Sequence, residues 1–162
     1  MKIFIVAGET SGDQLGAKLL SDLRALHPDI EVRGIGGMAL AQQGMQSLFS
    51  MSDLSLMGIA EVLPKIPQLI KRLDKTAAAI AEFAPDIVLT IDVPDFSKRL
   101  AKKLQPLRGK IKLVHYVAPT VWAWRAGRAK TMAKLFDHLF CLFPFEPPYF
   151  EREGLAATFV GH

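Results

Sequence analysis

Four short stretches of this sequence carry side chains able to do chemistry, and each follows an apolar run. They are Ala7-Gly8-Glu9-Thr10-Ser11-Gly12-Asp13, Ile91-Asp92-Val93-Pro94-Asp95, His115-Tyr116-Val117-Ala118-Pro119 and Phe143-Pro144-Phe145-Glu146-Pro147. Asp92 stands directly after Ile87–Ile91, the most buried-looking run, where a carboxylate is partly shielded from water and accepts protons more readily. A catalytic or ligand-orienting acid is preferred there over a turn-forming one. Glu9 is an acid placed where a ligand rather than bulk water would sit, so function is preferred for it too. Ser11 and Asp13 divide evenly between ligand contact and local structure, because Ser11 with Gln14 makes a capping-box pattern. Gly8 and Gly12 let the backbone turn tightly and approach a ligand, and a helix starting there would offer free N–H groups to an anion. Asp95 reads as an acid placed to suit a helix dipole. Trp122 and Trp124 offer indole faces that suit sugar rings, and Arg125 a charge for phosphate; packing over the sheet edge competes for one of the indoles. His115 falls within a strand pattern, so a satisfied core histidine is at least as good a reading as a catalytic one.

Short apolar runs alternating with helical segments position these stretches, and that alternation is the mark of stacked βαβ units in a parallel α/β sheet with helices on both faces. Strands are expected over Ile3–Ala7, Glu31–Ile35, Ile87–Ile91, Ile111–Val117, His138–Leu142 and Thr158–Val160, with a further short one over Ser47–Phe49. Helices are expected over Asp13–Leu26, Met38–Gln43, Gly58–Leu63, Pro67–Phe83, Phe96–Leu104, Arg125–Leu135 and Pro148–Glu153. Ile87–Ile91 is β-branched and uncharged, so it should lie mid-sheet. In such a sheet ligands bind beyond the carboxyl ends of the strands, and all four stretches fall on that rim. Their coincidence there weighs more than any one motif.

Composition and spacing exclude several chemistries. At 162 residues and half hydrophobic, the chain fits one domain with a real core. A single cysteine, Cys141, rules out a disulfide framework and suits a reducing compartment. No apolar stretch approaches the roughly 20 residues of a spanning helix, and the amino terminus is too short in apolar residues for a signal peptide. A soluble, unexported protein is expected. The glycines at 8, 12 and 16 do not form a dinucleotide fingerprint, and no P-loop follows a strand. Scattered histidines and the lack of D-x-D spacing at Asp92-Val93-Pro94-Asp95 leave no metal site apparent. Net charge is +4, with basic clusters over residues 98–112 and 125–134, which favours anionic partners. The first cluster is read as a solvated helix face.

Between Met57 and Leu73, the residues Ile59, Val62, Leu63, Ile66, Leu69, Ile70 and Leu73 share one helical face flanked by Lys65, Lys71, Arg72 and Lys75. Each such side chain is worth roughly 1.5–3 kcal/mol when buried, so the stripe must be covered. The sheet suffices for Pro67–Phe83. Around Pro64, a basic-rimmed apolar patch suits a membrane interface or an acylated substrate.

The stretches AGETSGD (7–13), GIGG (34–37), LMGIAEVL (56–63), IDVPDF (91–96), HYVAPTVWAWR (115–125), PFE (144–146) and FVGH (159–162) occur in order along the whole chain. Together they resemble the N-terminal half of the lipid-A-disaccharide synthase family. The resemblance implies that residues 1–162 form the acceptor-side, Rossmann-like N-terminal domain of a GT-B glycosyltransferase, without the C-terminal half that holds most of the UDP site. It implies a reaction joining UDP-2,3-diacylglucosamine to 2,3-diacylglucosamine 1-phosphate, with release of UDP and no metal or other cofactor. Asp92 is the implied general base for the acceptor's 6-hydroxyl, with Glu9 beside it and Thr10, Ser11, Gly12 and Asp13 in the acceptor pocket. Met57 to Ile70 is the implied element for acyl chains or for docking on the anionic inner face of a Gram-negative inner membrane. This chain alone is then expected to bind acceptor or lipid weakly without turnover. A nucleotide-sugar epimerase or peptidoglycan-type transferase of the same fold gives no reason for the acyl-friendly element. A flavodoxin-like binding module is the non-catalytic alternative. Nucleic acid is not expected as a partner, since no reader motif accompanies the basic residues.

Overall fold

A computed structural model describes residues 1–54, 66–121 and 127–161. Among them, strands β1 (Lys2–Ala7), β2 (Glu31–Ile35), β3 (Ile87–Ile91), β4 (Lys112–Tyr116), β5 (His138–Cys141) and β6 (Ala156–Phe159) form one sheet in the order β2-β1-β3-β4-β5-β6. Every pairing is parallel, with Ala7 opposite Ile91 and Ile91 opposite Tyr116. The helices are α1 (Thr10–Leu26), α2 (Met38–Gln42), α3 (Ile66–Phe83), α4 (Pro94–Lys103), α5 (Gly127–Leu135) and α6 (Pro147–Glu151).

The period-two alternation of the strands separates two cores. Ile3, Ile5 and Ala7 of β1 join Leu89 and Ile91 of β3 against Ala17 and Leu20 of α1 and Leu40 of α2. On the other face Phe4, Val6 and Val88 meet Ile80 and Phe83 of α3, Leu100 of α4 and Met132 of α5. β3 is buried along nearly its whole length, as an uncharged run requires. From β1 the chain leaves to one side for β2 and returns to the other side for β3. The winding direction therefore reverses between β1 and β3, and in open sheets the ligand crevice lies at such a switch.

Several local features differ from the sequence expectations. Helix α1 begins at Thr10, because the Glu9 carbonyl already accepts the Asp13 N–H at 2.9 Å. Ser11 is therefore inside the first turn and exposed, and no side chain caps the helix, so the capping box does not form. Ser47–Phe49 is an isolated bridge to Gly34 rather than a strand, because the Ser47 hydroxyl accepts from Gly36 N–H and donates to the Phe49 carbonyl. Helix α4 starts at Pro94 rather than Phe96, because the fixed φ of proline suits the first helical position; Asp95 is its exposed second residue, an acid in the first turn as expected. β6 begins two residues earlier than expected, at Ala156. The helix expected over Gly58–Leu63 lies outside the described residues.

Candidate active site

The loops after β1 and β3 flank the switch point, and both acids singled out from sequence stand there. Asp92 has φ 55° and Val93 φ 51°, two successive left-handed residues without glycine; Val117, one residue past β4, has φ 76°. Such backbone costs on the order of 1–3 kcal/mol per residue and persists only where surroundings enforce it. Here they do. The Asp92 N–H donates to the Tyr116 carbonyl at 3.0 Å, extending the β3–β4 ladder past its end. Ser97, buried on α4, donates its hydroxyl to the Asp92 carbonyl at 3.0 Å and its N–H to the Val93 carbonyl at 3.0 Å. The Val93 side chain rests on Gly8, where an added Cβ would stand 2.3 Å from Val93 Cγ2. The β1 and β3 tips are thus interlocked.

Asp92 is half-buried, and its Oδ1 accepts the Val93 N–H at 3.0 Å. That contact is local to the turn, and its Oδ2 takes no hydrogen bond among the described residues, so the carboxylate is oriented without being consumed. Glu9 is exposed at the tip of the neighbouring strand, next to the N–H groups of Thr10, Ser11 and Gly12, which have no intrahelical partner. Asp13 differs. It is 3% exposed, and its carboxylate accepts from the N–H groups of Gly37 at 2.7 Å, Ala39 at 2.9 Å and Leu40 at 3.2 Å. Those are the free donors at the start of α2, so Asp13 fastens α2 to α1. Of the two readings left open for it, the geometry supports the structural one.

His115 is 1% exposed, shares a hydrogen bond with Thr90 Oγ1 at 2.7 Å through Nδ1, and packs against Phe136. Burial, with a smaller contribution from the Lys98 charge, lowers its pKa to about 3, so it is a neutral core histidine at ordinary pH. Burial pushes the Cys141 thiol up to about 12, which leaves it inert. On the β5 rim, Glu146 is buried and its carboxylate accepts the Phe143 N–H at 2.9 Å; burial raises its pKa. Among the described residues no cluster of three or more histidine, cysteine or acidic side chains could hold a metal ion.

Trp122, Trp124, Arg125, Met57, Ile59, Val62 and Leu63 lie outside the described residues. On α3, Leu69 and Leu73 pack against the core, whereas Ile66 is 39% and Ile70 50% exposed. Two of the flanking cations are engaged: Arg72 pairs with Asp53 at 2.7 Å and stacks on Phe49, and Lys75 Nζ reaches the Leu48 carbonyl at 3.5 Å. No helix among the described residues is long and apolar enough to cross a membrane. Sequence reasoning missed Ser97 and the left-handed valines. An isolated Ser-Lys after a helix start carries no signal, and a β-branched residue reads as extended.

Residues 3–162 match the family model described as lipid-A-disaccharide synthetase. The chain is 55% identical over 161 residues to a lipid-A-disaccharide synthase of Rhodospirillum centenum, covering 99% of this chain and 40% of that protein. It is 45% identical over 160 residues to the one of Myxococcus xanthus, covering 99% and 41%. The chain thus spans about 40% of the length of these curated relatives. Among solved structures, it resembles UDP-GlcNAc 2-epimerase from Neisseria meningitidis bound to UDP-GlcNAc, with a TM-score of 0.66 and 16% identity over 96% of this chain and 43% of the other. The epimerase from Methanocaldococcus jannaschii gives a TM-score of 0.63 and 16% identity over 100% and 46%. The structural likeness shows the Rossmann-like fold alone, and the sequence match decides the family: this chain belongs to the lipid-A-disaccharide synthetases.

Proposed function

We propose that this chain is the acceptor-side, N-terminal half of an inverting GT-B glycosyltransferase of lipid A biosynthesis. Asp92 takes the proton from the 6-hydroxyl of 2,3-diacylglucosamine 1-phosphate as that oxygen attacks the anomeric carbon of UDP-2,3-diacylglucosamine. The bond from that carbon to the diphosphate breaks, UDP leaves with the electron pair, and a β-1,6 linkage forms. The observation that carries the reading is the half-buried Asp92 carboxylate, oriented by its own turn at the sheet switch point with one oxygen free among the described residues. Glu9 and the N–H groups of Thr10, Ser11 and Gly12 hold acceptor polar groups, and Asp13 positions that loop from behind. Trp122, Trp124 and Arg125 contact sugar and phosphate.

The donor is held mainly by the part of the relatives that this chain does not span. Ile66 and Ile70, with Met57, Ile59, Val62 and Leu63 before them, receive acyl chains or meet an anionic membrane, while Leu69 between them is turned to the core instead. The protein then works in the cytoplasm as a peripheral protein on the inner face of the inner membrane of a Gram-negative-type bacterium. Catalysis requires the base on one face of the anomeric carbon and a stabilised diphosphate on the other, with reacting atoms about 3–3.5 Å apart. The 162-residue chain is therefore expected to bind acceptor and form no disaccharide, while a full-length form releases UDP and disaccharide from the two substrates. Disaccharide synthesis by the isolated chain would refute the division of labour, and none from the full-length form would refute the function.

A further inference from the structure

Between the first turns of α4 and α5 lies a cavity of about 500 Å³ whose polar lining is Asp95, Lys98, Arg128 and Thr131. Asp95, Lys98 and Thr131 continue into an adjoining groove that also exposes Arg99 and Lys102. Lys98 meets Asp95 at 2.9 Å, but Arg128, Arg99 and Lys102 have no ion pair among the described residues. One carboxylate therefore faces four cations. The field registers on that carboxylate: the Lys98 hydrogen bond, then the charges of Lys98, Arg99 and Arg128, hold Asp95 below the usual range. Low-dielectric walls from Pro94, Pro119 and Met132 concentrate such a field inside a concavity. The sequence expectation of a solvated helix face thus understates residues 98–102.

We propose that this cavity is a phosphomonoester subsite, with Arg128 and Lys98 as its anion ligands; the Thr131 hydroxyl on its wall already donates to the Gly127 carbonyl at 3.1 Å. A phosphate monoester carries close to two charges and three strong acceptor oxygens at neutral pH, which matches a pocket with surplus cations. Its place also fits. Pro94 lines the pocket and follows the Asp92–Val93 turn directly, so the pocket adjoins that turn. Resting on the proposed function, the occupant is the acceptor's 1-phosphate: C1 and C5 flank the ring oxygen of the sugar, so phosphate and 6-hydroxyl project to two sides of one ring. The pocket then selects a phosphorylated acceptor and fixes which hydroxyl meets Asp92.

The test is an amide chemical-shift titration of this chain with glucosamine 1-phosphate, inorganic phosphate and glucosamine. Saturable shifts over 95–98 and 127–132 are expected with both phosphates, tighter for the sugar phosphate, and none with glucosamine. Arg128→Gln and Lys98→Gln should each weaken glucosamine 1-phosphate about tenfold, and Arg128→Lys should recover part of the loss; unchanged shifts over β1 and β3 report that the fold persists. Absence of saturable shifts in these segments, or unchanged affinity in both glutamine variants, overturns the site. Inorganic phosphate binding as tightly as glucosamine 1-phosphate overturns its assignment to the acceptor. None of these readouts needs turnover, so a full-length form that makes no disaccharide would sink the proposed function and leave the titration standing.

Discussion

Replacing Gly8 with alanine perturbs the interlock between the two strand tips directly. The new Cβ would lie 2.3 Å from Val93 Cγ2 and 3.1 Å from both Val93 Cγ1 and Leu54 Cβ. Carbon atoms prefer separations of about 3.5–4.0 Å, so the valine must withdraw by on the order of 1 Å. It cannot do so freely, because Ser97 holds the Val93 carbonyl and Val93 is already left-handed at φ 51°. Overpacking of this kind costs about 1–3 kcal/mol. For a chain of this size each kcal/mol lowers Tm by about 2–4 °C, readable by thermal or urea denaturation. Val93→Ala removes both offending methyl groups, so the double variant should recover at least ~1 kcal/mol relative to the sum of the singles. In a full-length form Gly8→Ala should also lower kcat by about 10²-fold, the scale of a 1 Å misplacement of a reacting group. Strict additivity of Gly8→Ala and Val93→Ala would refute the interlock.

Three further outcomes follow from named contacts. His115, with a folded pKa of about 3 against an ordinary 6.5, leaves the unfolded chain binding a proton that the folded chain does not; stability is lost as pH falls below about 6.5. At pH 5 the loss is about 2 kcal/mol, and His115→Gln should lack it in urea titrations; equal losses in both proteins would contradict the burial. Asp13→Ala strips three N–H groups, that of Leu40 buried and those of Gly37 and Ala39 half-buried, of their acceptor and should cost about 3 kcal/mol, with Asp13→Asn milder; a neutral Asp13→Ala would remove the clasp on α2. Ile66→Glu with Ile70→Glu, both on exposed positions, should leave Tm within about 1 °C and abolish flotation with anionic liposomes. Undiminished flotation would exclude that face as the membrane contact.

Much of the sheet was legible because its strands are short, apolar and separated by helical periodicity; Glu31–Ile35 and Ile87–Ile91 agree with expectation to the residue. Asp92 was legible for the same reason, as an acid at the carboxyl end of an uncharged run. Its left-handed turn was not, because the conformation is imposed by Gly8, Ser97 and Tyr116, residues distant in sequence. Asp13 shows the same limit: local pattern placed it at a helix start, but its partners are 24 to 27 residues away on a second helix. At α1 the Ser11–Gln14 pattern misled because helix entry was decided two residues earlier, by the Glu9 carbonyl. The cationic pocket was hidden because Lys98 and Arg128 meet only when β3 and β4 place α4 and α5 side by side.

The most direct trial of the account is Asp92→Asn in a full-length form, with initial rates measured at saturating acceptor and donor. Asparagine keeps the size and the local hydrogen-bonding oxygen but cannot take a proton. With Asp92 as the base, kcat should fall by about 10²–10⁴-fold with acceptor KM little changed. A kcat equal to that of the unmodified protein would contradict it.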